Sequence, residues 1–579
     1  METPTLPPPN GASTPYADLD HALQAMAASV TQGLSPSSLT LAWLDWLLHL
    51  LASPGTQLAL AAEARDQVLK LQQAIGQGGS NPVQVVTPAP GDHRFDAPAW
   101  RQWPFNLLEQ NFLLCEQWWR SATTGVRGVS THHAHVVAFG ARQWLDLMAP
   151  SNFFLTNPEA LSAAAREGGA SIARGAAHLL EDIAHGSNGT QEAAATFKPG
   201  AQVALTPGTV VYRNHLIELI QYTPATRTVH PEPVLIVPSW IMKFYILDLS
   251  PHNSLVRYLV EQGFTVFMLS WRNPDAADRA LGMDDYLQLG PIAALTQVQR
   301  IVPAQHVHGV GYCLGGTLLA IAAAAWARDG ADHLASLTLL ASETDFEQPG
   351  DLAFFIDDSQ VAYLDDLMWE QGYLDGRQMG DSFTFLNARD LFWSRMVRDY
   401  LLGTRAPLND LTAWSKDVTR MPYRMHTEYL RSLYLDNALA HGTYKVGDRP
   451  VALSDIHVPV FLVGTEKDHI SPWRSVYKLH LLSDTEITFV LTSGGHNAGI
   501  VSEPWHAGRS YRVLTREPDG QYVDPDRWLA QAQPHEGSWW AEWTAWLAQR
   551  SGRRVAARAI ASAGRARSLG EAPGTYVAG

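Results

Sequence analysis

Cysteine is scarce in this sequence, with two residues in 579, Cys115 and Cys313. Two cysteines cannot form a disulfide framework, so nothing in the chain requires an oxidising compartment. Charged residues are also few, at 17% of the chain. A basic excess is absent, because 42 lysines and arginines stand against 57 acids and give a net charge of −15. Phosphate backbones are bound by basic surfaces, so the charge argues against nucleic acid as the main partner.

Long apolar runs are missing as well. The most apolar stretch, Leu318 to Ala327, is half of the roughly 20 residues that a membrane-spanning helix needs. The first residues, METPTLPPPNGASTP, have neither a basic n-region nor an apolar h-region, so we expect no secretory signal. These features predict a cytoplasmic protein without a membrane span.

The length and the local composition of the chain divide it into several predicted parts. At roughly 100–200 residues per domain, 579 residues predict two or more domains. Residues 1–18 are rich in Pro, Ser, Thr and Gly and predict a disordered lead-in, and residues 19–200 carry helical patterns. Residues 201–549 predict a catalytic domain, and residues 550–579 form a basic tail that we expect to be solvated.

The predicted catalytic domain alternates short apolar runs with helical stretches. This alternation is typical of a mostly parallel sheet covered by helices. The runs are Val234–Val237, Thr265–Leu269, His306–Val310, Leu337–Leu340, Val460–Val463 and Ile487–Leu491. A long gap after the fourth run is rich in aromatic and acidic residues and predicts an inserted helical cap at about 345–445.

The strongest motif is Gly-Tyr-Cys-Leu-Gly at residues 311–315, between an apolar strand and an apolar helix. A nucleophile elbow needs this context, because its glycines let strand and helix pass closely. Cys313 would then lie at a helix N-terminus, which stabilises a thiolate, and the Leu314 N–H would be one oxyanion donor. An isolated motif of this kind also fits a buried core cysteine. A dinucleotide fingerprint starting at Gly309 fails, because position 314 is leucine where glycine is required.

Two partners follow this cysteine in the order nucleophile, acid, histidine. Asp468 follows the apolar run PVFLVG, and His496 follows ITFVL. This order and strand context predict an α/β-hydrolase fold with an inserted helical cap, preceded by a mostly helical N-terminal domain, and a Cys-His-Asp triad. The second oxyanion donor should come from the loop after VLIVP, where we prefer Ile241 to Trp240.

Weaker features leave other interpretations open. His132, His133 and His135 lack the spacing of a known metal motif, so we predict no metal site. Cys115 lies in an apolar helical run and is expected in the core. The 20 tryptophans fit either a product channel or ordinary core packing.

The sequence resembles the polyhydroxyalkanoate synthases from about residue 40 to its end, through segments such as GYCLGGTLLA, KFYILDLSPHNSLVRYLVEQGFTVFMLSWRNPD and the closing APGTYV. The resemblance implies the single-subunit type of the family, a homodimer that polymerises (R)-3-hydroxyacyl-CoA and releases CoA without a further cofactor. It also implies association with the growing polyester chain or the surface of polymer granules. On this resemblance, Cys313 carries the acyl group, Asp468 and His496 assist it, and Ile241 and Leu314 bind the oxyanion.

The resemblance also indicates substrate-binding residues, with departures from the family pattern. His469, beside the acid, matches a residue of the family's active-site rim. The family's L-R-P-N-D reads Leu-Asn-Ala-Arg-Asp at 386–390, so Arg389 is the displaced candidate for CoA phosphate. The family's I-N-K reads Ile-Met-Lys and keeps Lys243, and its H-I-A-G reads His-Asn-Ala-Gly at 496–499.

Thiol chemistry suits such a polymerase. A cysteine thiolate that attacks an acyl-CoA exchanges one thioester for another and keeps the acyl group activated. His496, paired with Asp468, would then activate the incoming or chain-end hydroxyl. The rival hypotheses are a thioesterase or polyester depolymerase of the same fold, and a non-enzymatic granule-coat protein.

Overall fold

The computed structural model describes residues 15–31, 33–76, 84–89, 91–185, 196–302, 306–386, 388–558, 560 and 569–579. Its N-terminal part is helical, as predicted. The helices are Pro15–Val30, Pro36–Leu51, Pro54–Gly76, Phe105–Thr123, Thr131–Leu147, Pro158–Arg166 and Ala170–His185. The first helix begins before Leu19, where the pattern places the start, and residues 1–14 of the predicted lead-in lie outside the described residues.

Local sequence explains where these helices begin. Pro36 and Pro158 stand in the first turn, where a missing N–H is harmless. The preceding residues, Ser35 and Asn157, accept hydrogen bonds from backbone N–H groups of that turn, and Ser130 caps the helix Thr131–Leu147 in the same way.

The catalytic domain is built on a ten-stranded mixed sheet. Its strands are β1 (Gly208–Arg213), β2 (Ile217–Tyr222), β3 (Val234–Val237), β4 (Val266–Trp271), β5 (Val307–Tyr312), β6 (Leu334–Leu340), β7 (Val460–Thr465), β8 (Ile487–Thr492), β9 (Ser510–Arg516) and β10 (Pro534–Glu536). The spatial order is β1-β2-β4-β3-β5-β6-β7-β8-β9-β10. The six strands from β3 to β8 are parallel and match the six predicted runs, whereas antiparallel strands extend both edges.

Helices accompany the sheet along the chain. They are Leu255–Glu261, Met283–Leu287, Ala293–Ile301, Leu314–Arg328, Trp473–Tyr477, Leu479–Leu482, Pro525–Gln531 and Trp540–Gln549. Tryptophans serve this packing: Trp543 and Trp546 donate hydrogen bonds to Thr338 on β6 and Thr488 on β8. Of the two interpretations of the tryptophan excess, core packing therefore applies to these residues.

The chain between β6 and β7 forms a largely helical cap, as predicted. Its α-helices are Asp358–Gln371, Gly376–Leu386, Ser394–Met396, Asp410–Lys416 and Tyr423–Tyr429. Short π-helical segments join or extend these helices, at Arg389–Trp393, Val397–Leu401 and Leu430–Leu435. The helix Pro15–Val30 packs along Asp358–Gln371, so the N-terminal helices lie against the cap.

A polar contact fixes the N-terminal helices on the cap. The buried side chain of Gln360 accepts a hydrogen bond from the Ser35 N–H at 2.9 Å and donates one to the Gly33 carbonyl at 2.5 Å. The Ser38 hydroxyl donates to the Asp357 carboxylate. These bonds hold the N-terminal helices on the cap. The cap in turn contributes part of the wall of the site described next.

Two predictions on single segments are wrong. Cys115 lies on the exposed side of its helix rather than in the core. The tail is not wholly solvated, because Val577 is buried and Thr575 and Tyr576 donate backbone hydrogen bonds to the buried carboxylate of Glu218. That buried acid gives the chain end a fixed partner.

Candidate active site

Cys313 occupies a sharp turn between β5 and the helix Leu314–Arg328. Its φ of 53° and ψ of −129° are strained for a residue with a side chain. The turn is closely packed: a Cβ added to Gly311 would lie 2.2 Å from the Gly316 Cα, and one added to Gly315 would lie 2.3 Å from the Val237 carbonyl oxygen. Only glycines permit this approach, so the geometry is that of the predicted nucleophile elbow.

His496 and Asp468 lie beside this cysteine. His496 Nδ1 donates a 2.8 Å hydrogen bond to Asp468 Oδ2, and the Cys313 sulfur is close enough to the imidazole to raise its pKa. Asp468 follows β7 and His496 follows β8, and the two parallel strands are neighbours. The structure thus brings the three predicted residues together, 155 and 28 positions apart in the chain.

The electrostatics favour a charged histidine. Burial disfavours the imidazolium, but the Asp468 carboxylate and the Cys313 sulfur outweigh burial and raise the pKa of His496 well above its ordinary value. Burial would raise the pKa of Asp468, but the charge of His496 and the hydrogen bonds that it receives lower it. The arrangement therefore supports an imidazolium–carboxylate pair next to the sulfur.

The residues predicted to donate to the oxyanion, Leu314 and Ile241, both line the cavity that contains Cys313. Leu314 opens the helix that follows Cys313, so its N–H is among the first-turn donors that have no acceptor within the helix. Ile241 follows β3 and lines the same cavity as Cys313 and Leu314. Its N–H has only a long contact, 3.4 Å, to the Ser239 hydroxyl.

A cavity of about 100 Å³ opens on the cysteine. Gly33 of the N-terminal part, the sheet domain and the cap all contribute to its wall. The cap side is mainly apolar, with Leu364, Leu367, Met379 and Leu430 among the lining residues. An acyl group bound to Cys313 would therefore lie among hydrocarbon side chains.

The predicted substrate-binding residues do not line this cavity. The buried Lys243 donates a 2.5 Å hydrogen bond to the main-chain oxygen of Gly579. Arg389 lies 2.7 Å from both Asp146 and Glu116 of the N-terminal helices, so its guanidinium is already paired with two carboxylates. His469 is adjacent to the lining residue Ile470. A role of these residues in binding CoA stays a prediction, and Asn387 of the altered cap motif lies outside the described residues.

The histidine cluster has other partners. His132 contacts Asp357 at 3.2 Å, and His133 contacts Asp45 at 2.6 Å. Within the described ranges, no group of three or more His, Cys, Asp or Glu side chains is placed to hold a metal ion. Over the same ranges, no helix combines the length and the apolar character that crossing a membrane requires.

Two buried lining residues with an unpartnered polar atom, Glu343 and His426, were not predicted. Glu343 follows β6, His426 lies on the cap helix Tyr423–Tyr429, and both are buried. Within the described part of the chain, Glu343 Oε1 and His426 Nδ1 lack a hydrogen-bond partner. The one signal for Glu343 was its position just past the end of a predicted strand, where parallel sheets gather functional residues.

Fold and geometry define the class: an α/β-hydrolase-fold protein with a cysteine at the elbow. Comparisons with known proteins agree. Residues 232–503 match the alpha/beta hydrolase fold family. Residues 91–259 match the family "Poly-beta-hydroxybutyrate polymerase (PhaC) N-terminus", and residues 14–56 match "Poly-beta-hydroxybutyrate polymerase N terminal".

Individual relatives narrow the class to one family. The Poly(3-hydroxyalkanoate) polymerase of Methylorubrum extorquens is 41% identical over 85% of this chain and 82% of its own length. The Poly(3-hydroxyalkanoate) polymerase subunit PhaC of Cupriavidus necator is 37% identical over 88% of this chain and 86% of its own length. The chain belongs to the poly(3-hydroxyalkanoate) polymerase family of enzymes, as the sequence motifs predicted.

Two of the solved structures that match the chain are only distantly similar to it. The Paleococcus ferrophilus monoacylglycerol lipase is 13% identical with a TM-score of 0.32 and covers 57% of this chain and 99% of its own. A thioesterase domain from the curacin biosynthetic pathway is 16% identical with a TM-score of 0.26 and covers 51% of this chain and 94% of its own. At these TM-scores neither structure bears on function.

Proposed function

We propose that this protein polymerises (R)-3-hydroxyacyl-CoA into polyhydroxyalkanoate and releases CoA, with Cys313 carrying the acyl group as a thioester. The observation that carries the proposal is the strained Cys313 beside the His496–Asp468 pair, inside an apolar cavity closed by the cap. Membership of the polymerase family supports the substrate and product.

The first step transfers the acyl group. The Cys313 thiolate attacks the thioester carbonyl, and the N–H groups of Leu314 and Ile241 are placed to stabilise the resulting oxyanion. The bond from the carbonyl carbon to the CoA sulfur breaks, and the imidazolium of His496 supplies the proton for the leaving thiolate. One thioester replaces another, so the acyl group remains activated.

The second step extends the chain. Neutral His496 accepts the proton of a 3-hydroxyl group while the hydroxyl oxygen attacks the Cys313 thioester. An ester C–O bond forms, the C–S bond breaks, and Cys313 recovers its thiolate beside the newly protonated His496. Asp468 holds the imidazole in the orientation that both steps need.

Hydrolysis must be suppressed for a polymer to grow. Water that reached the Cys313 thioester would release free hydroxy acid, which is the thioesterase outcome. The apolar cap residues and the N-terminal helices that hold the cap reduce this access. Thioesterase and depolymerase activities share the fold, so product analysis has to distinguish them.

The proposal includes a location on cytoplasmic polymer granules. The helix Pro36–Leu51 supports it with a row of leucines that are 41–63% exposed: Leu41, Leu44, Leu47, Leu48 and Leu51. An exposed apolar row of this length suits a hydrophobic polyester surface. Changing Leu48 and Leu51 to Gln should weaken sedimentation with polyhydroxybutyrate granules, whereas Leu481→Gln, on another exposed leucine, should not. Unchanged sedimentation of the double variant with granules would contradict the proposed granule binding. The homodimer that the family resemblance implies is tested separately, by sedimentation velocity of the protein without granules.

The activity itself is tested with (R)-3-hydroxybutyryl-CoA. We expect CoA release together with high-mass polyester, and we expect both to be lost in Cys313→Ala. Release of CoA with free 3-hydroxybutyrate as the only acyl product would instead identify a thioesterase. Polymer formation by Cys313→Ala would contradict the assigned nucleophile.

A further inference from the structure

Glu343 is a carboxyl group in an otherwise apolar cavity wall. It follows β6, next to the elbow, where its backbone carbonyl accepts a 2.7 Å hydrogen bond from the hydroxyl of Thr317. Its residue is 3% exposed and lines the same cavity as Cys313. Leaving a buried polar atom without a partner costs free energy, so the unpartnered Oε1 calls for an explanation.

The surroundings favour the protonated form of this carboxyl. Burial, followed by the negative charges of Asp468 and Cys313, raises the pKa of Glu343 well above its ordinary value, and His496 only partly opposes them. A protonated carboxyl does not repel a neighbouring thiolate. It can donate one hydrogen bond and accept another, which is what a hydroxyl group requires.

Several other polar side chains of the cavity already have partners. Gln360 bonds to the N-terminal part, and Gln378 accepts a 3.0 Å hydrogen bond from the Asp375 N–H. The hydroxyl of Tyr429 donates to that of Tyr434 at 2.8 Å. Among the lining residues that the structure describes, the buried side-chain atoms without a partner are Glu343 Oε1 and His426 Nδ1.

His426 differs from Glu343 in its surroundings. Burial alone lowers its pKa to about 4, and no charged group contributes to that shift. Glu343, in contrast, feels the charges of Cys313, Asp468 and His496. Of the two, Glu343 is the group electrostatically coupled to the reacting sulfur.

We propose that Glu343 determines specificity by hydrogen-bonding the 3-hydroxyl of the acyl group that is attached to Cys313. This inference rests on the proposed function and names what selects its substrate. In a 3-hydroxyacyl thioester the hydroxyl is two carbons from the carbonyl, so it lies near the sulfur. A simple acyl group would leave the Glu343 carboxyl buried without a partner, and such sites discriminate strongly against analogues that lack the hydroxyl.

The test separates acylation from polymer growth. Enzyme in excess is mixed with (R)-3-hydroxybutyryl-CoA or with butyryl-CoA, and the first release of CoA is followed by rapid quench. We expect the wild type to prefer the hydroxyacyl thioester by about tenfold or more. Glu343→Leu should remove most of that preference, whereas Glu343→Gln, which keeps a donor and an acceptor, should retain it.

Controls make each outcome decisive. Butyryl-CoA should acylate Glu343→Leu at least as fast as the wild type, which shows an intact site, and Glu343→Met replaces the leucine variant if that does not fold. The proposal is overturned if these apolar variants keep the preference, or if His426→Leu loses it to the same extent. Failure of the proposed function looks different, since the wild type would then release no CoA from either thioester, or would release CoA with free hydroxy acid as the only acyl product.

Discussion

The Asp468 carboxylate receives hydrogen bonds from two sides, and this makes Asp468→Asn an informative change. Oδ1 accepts from the backbone N–H groups of Ile470 at 3.0 Å and Ser471 at 2.8 Å. Oδ2 accepts from the Thr465 hydroxyl and from His496, both at 2.8 Å. In the asparagine variant the amide oxygen stays with the two backbone donors, so the NH₂ group faces His496.

This placement reverses the tautomer of the histidine. An NH₂ group donates, so Nδ1 of His496 must become an acceptor, and the proton moves to the nitrogen that faces Cys313. That nitrogen can then no longer take a proton from a hydroxyl group. The lost carboxylate charge adds to the effect, because unit charges about 4 Å apart attract by about 4 kcal/mol at an effective dielectric constant of about 20.

We therefore expect Asp468→Asn to slow chain elongation by about 10³–10⁴-fold, the size of the tautomer effect in Ser-His-Asp enzymes. The assay is the steady rate of CoA release during polymer growth, with the melting temperature as a check on folding. Asp484→Asn, which changes an exposed acid before β8, is the matched control and should be neutral. A folded Asp468→Asn enzyme that elongates within about tenfold of the wild type would refute the assigned role.

Three further predictions concern stability and local packing. Gly315→Ala should abolish polymerisation and lower the melting temperature, because its Cβ would lie 2.3 Å from a main-chain oxygen. Gly55→Ala, with open space around its Cβ, should have neither effect, and equal melting temperatures of the two variants would contradict this prediction. Arg389→Met removes one of the two arginines that pair with the buried acids Asp146 and Glu116 and leaves Arg94 as the other. It should cost about 2 kcal/mol in urea unfolding, the size of a hydrogen bond to a charged group. The exposed Arg377→Met should change little, and equal values would contradict the role of the ion cluster. The raised pKa of Glu343 means that the folded state holds a proton that the unfolded state loses above about pH 4.5, so its contribution to stability falls as pH rises from that point through the folded-state pKa. Glu343→Gln should make unfolding free energy less dependent on pH between about 5 and 8, and identical pH slopes for variant and wild type would contradict the shift.

The sequence predicted the centre of the fold better than its edges. The strands from β3 to β8 are mostly buried, so they stand out as short apolar runs. β1 and β9 lie at or near the sheet edges and mix polar with apolar residues, as in GTVVYR and SYRVLTR, so they give no comparable signal. Cys115 was placed wrongly because apolar neighbours do not reveal which side of a helix faces water.

In the candidate site, too, residues within local motifs were predicted, whereas contacts between residues far apart in the chain were not. The elbow around Cys313 is encoded within five residues, and strand order located Asp468 and His496. The partners of Lys243 and Arg389, by contrast, come from more than 240 positions away, which no local motif reveals. Glu343 shares its cavity with cap residues such as Tyr429 and Leu430, which are more than 80 positions away in the chain.

The thioester on Cys313 is the central claim, and trapping it tests that claim most directly. The enzyme is mixed with (R)-3-hydroxybutyryl-CoA, quenched in acid, digested and analysed by mass spectrometry. We predict one or more hydroxybutyryl units on the peptide that contains Cys313, removable by neutral hydroxylamine as expected for a thioester. CoA release and polymer growth with Cys313 unmodified, or with the acyl group on another side chain, would contradict the account.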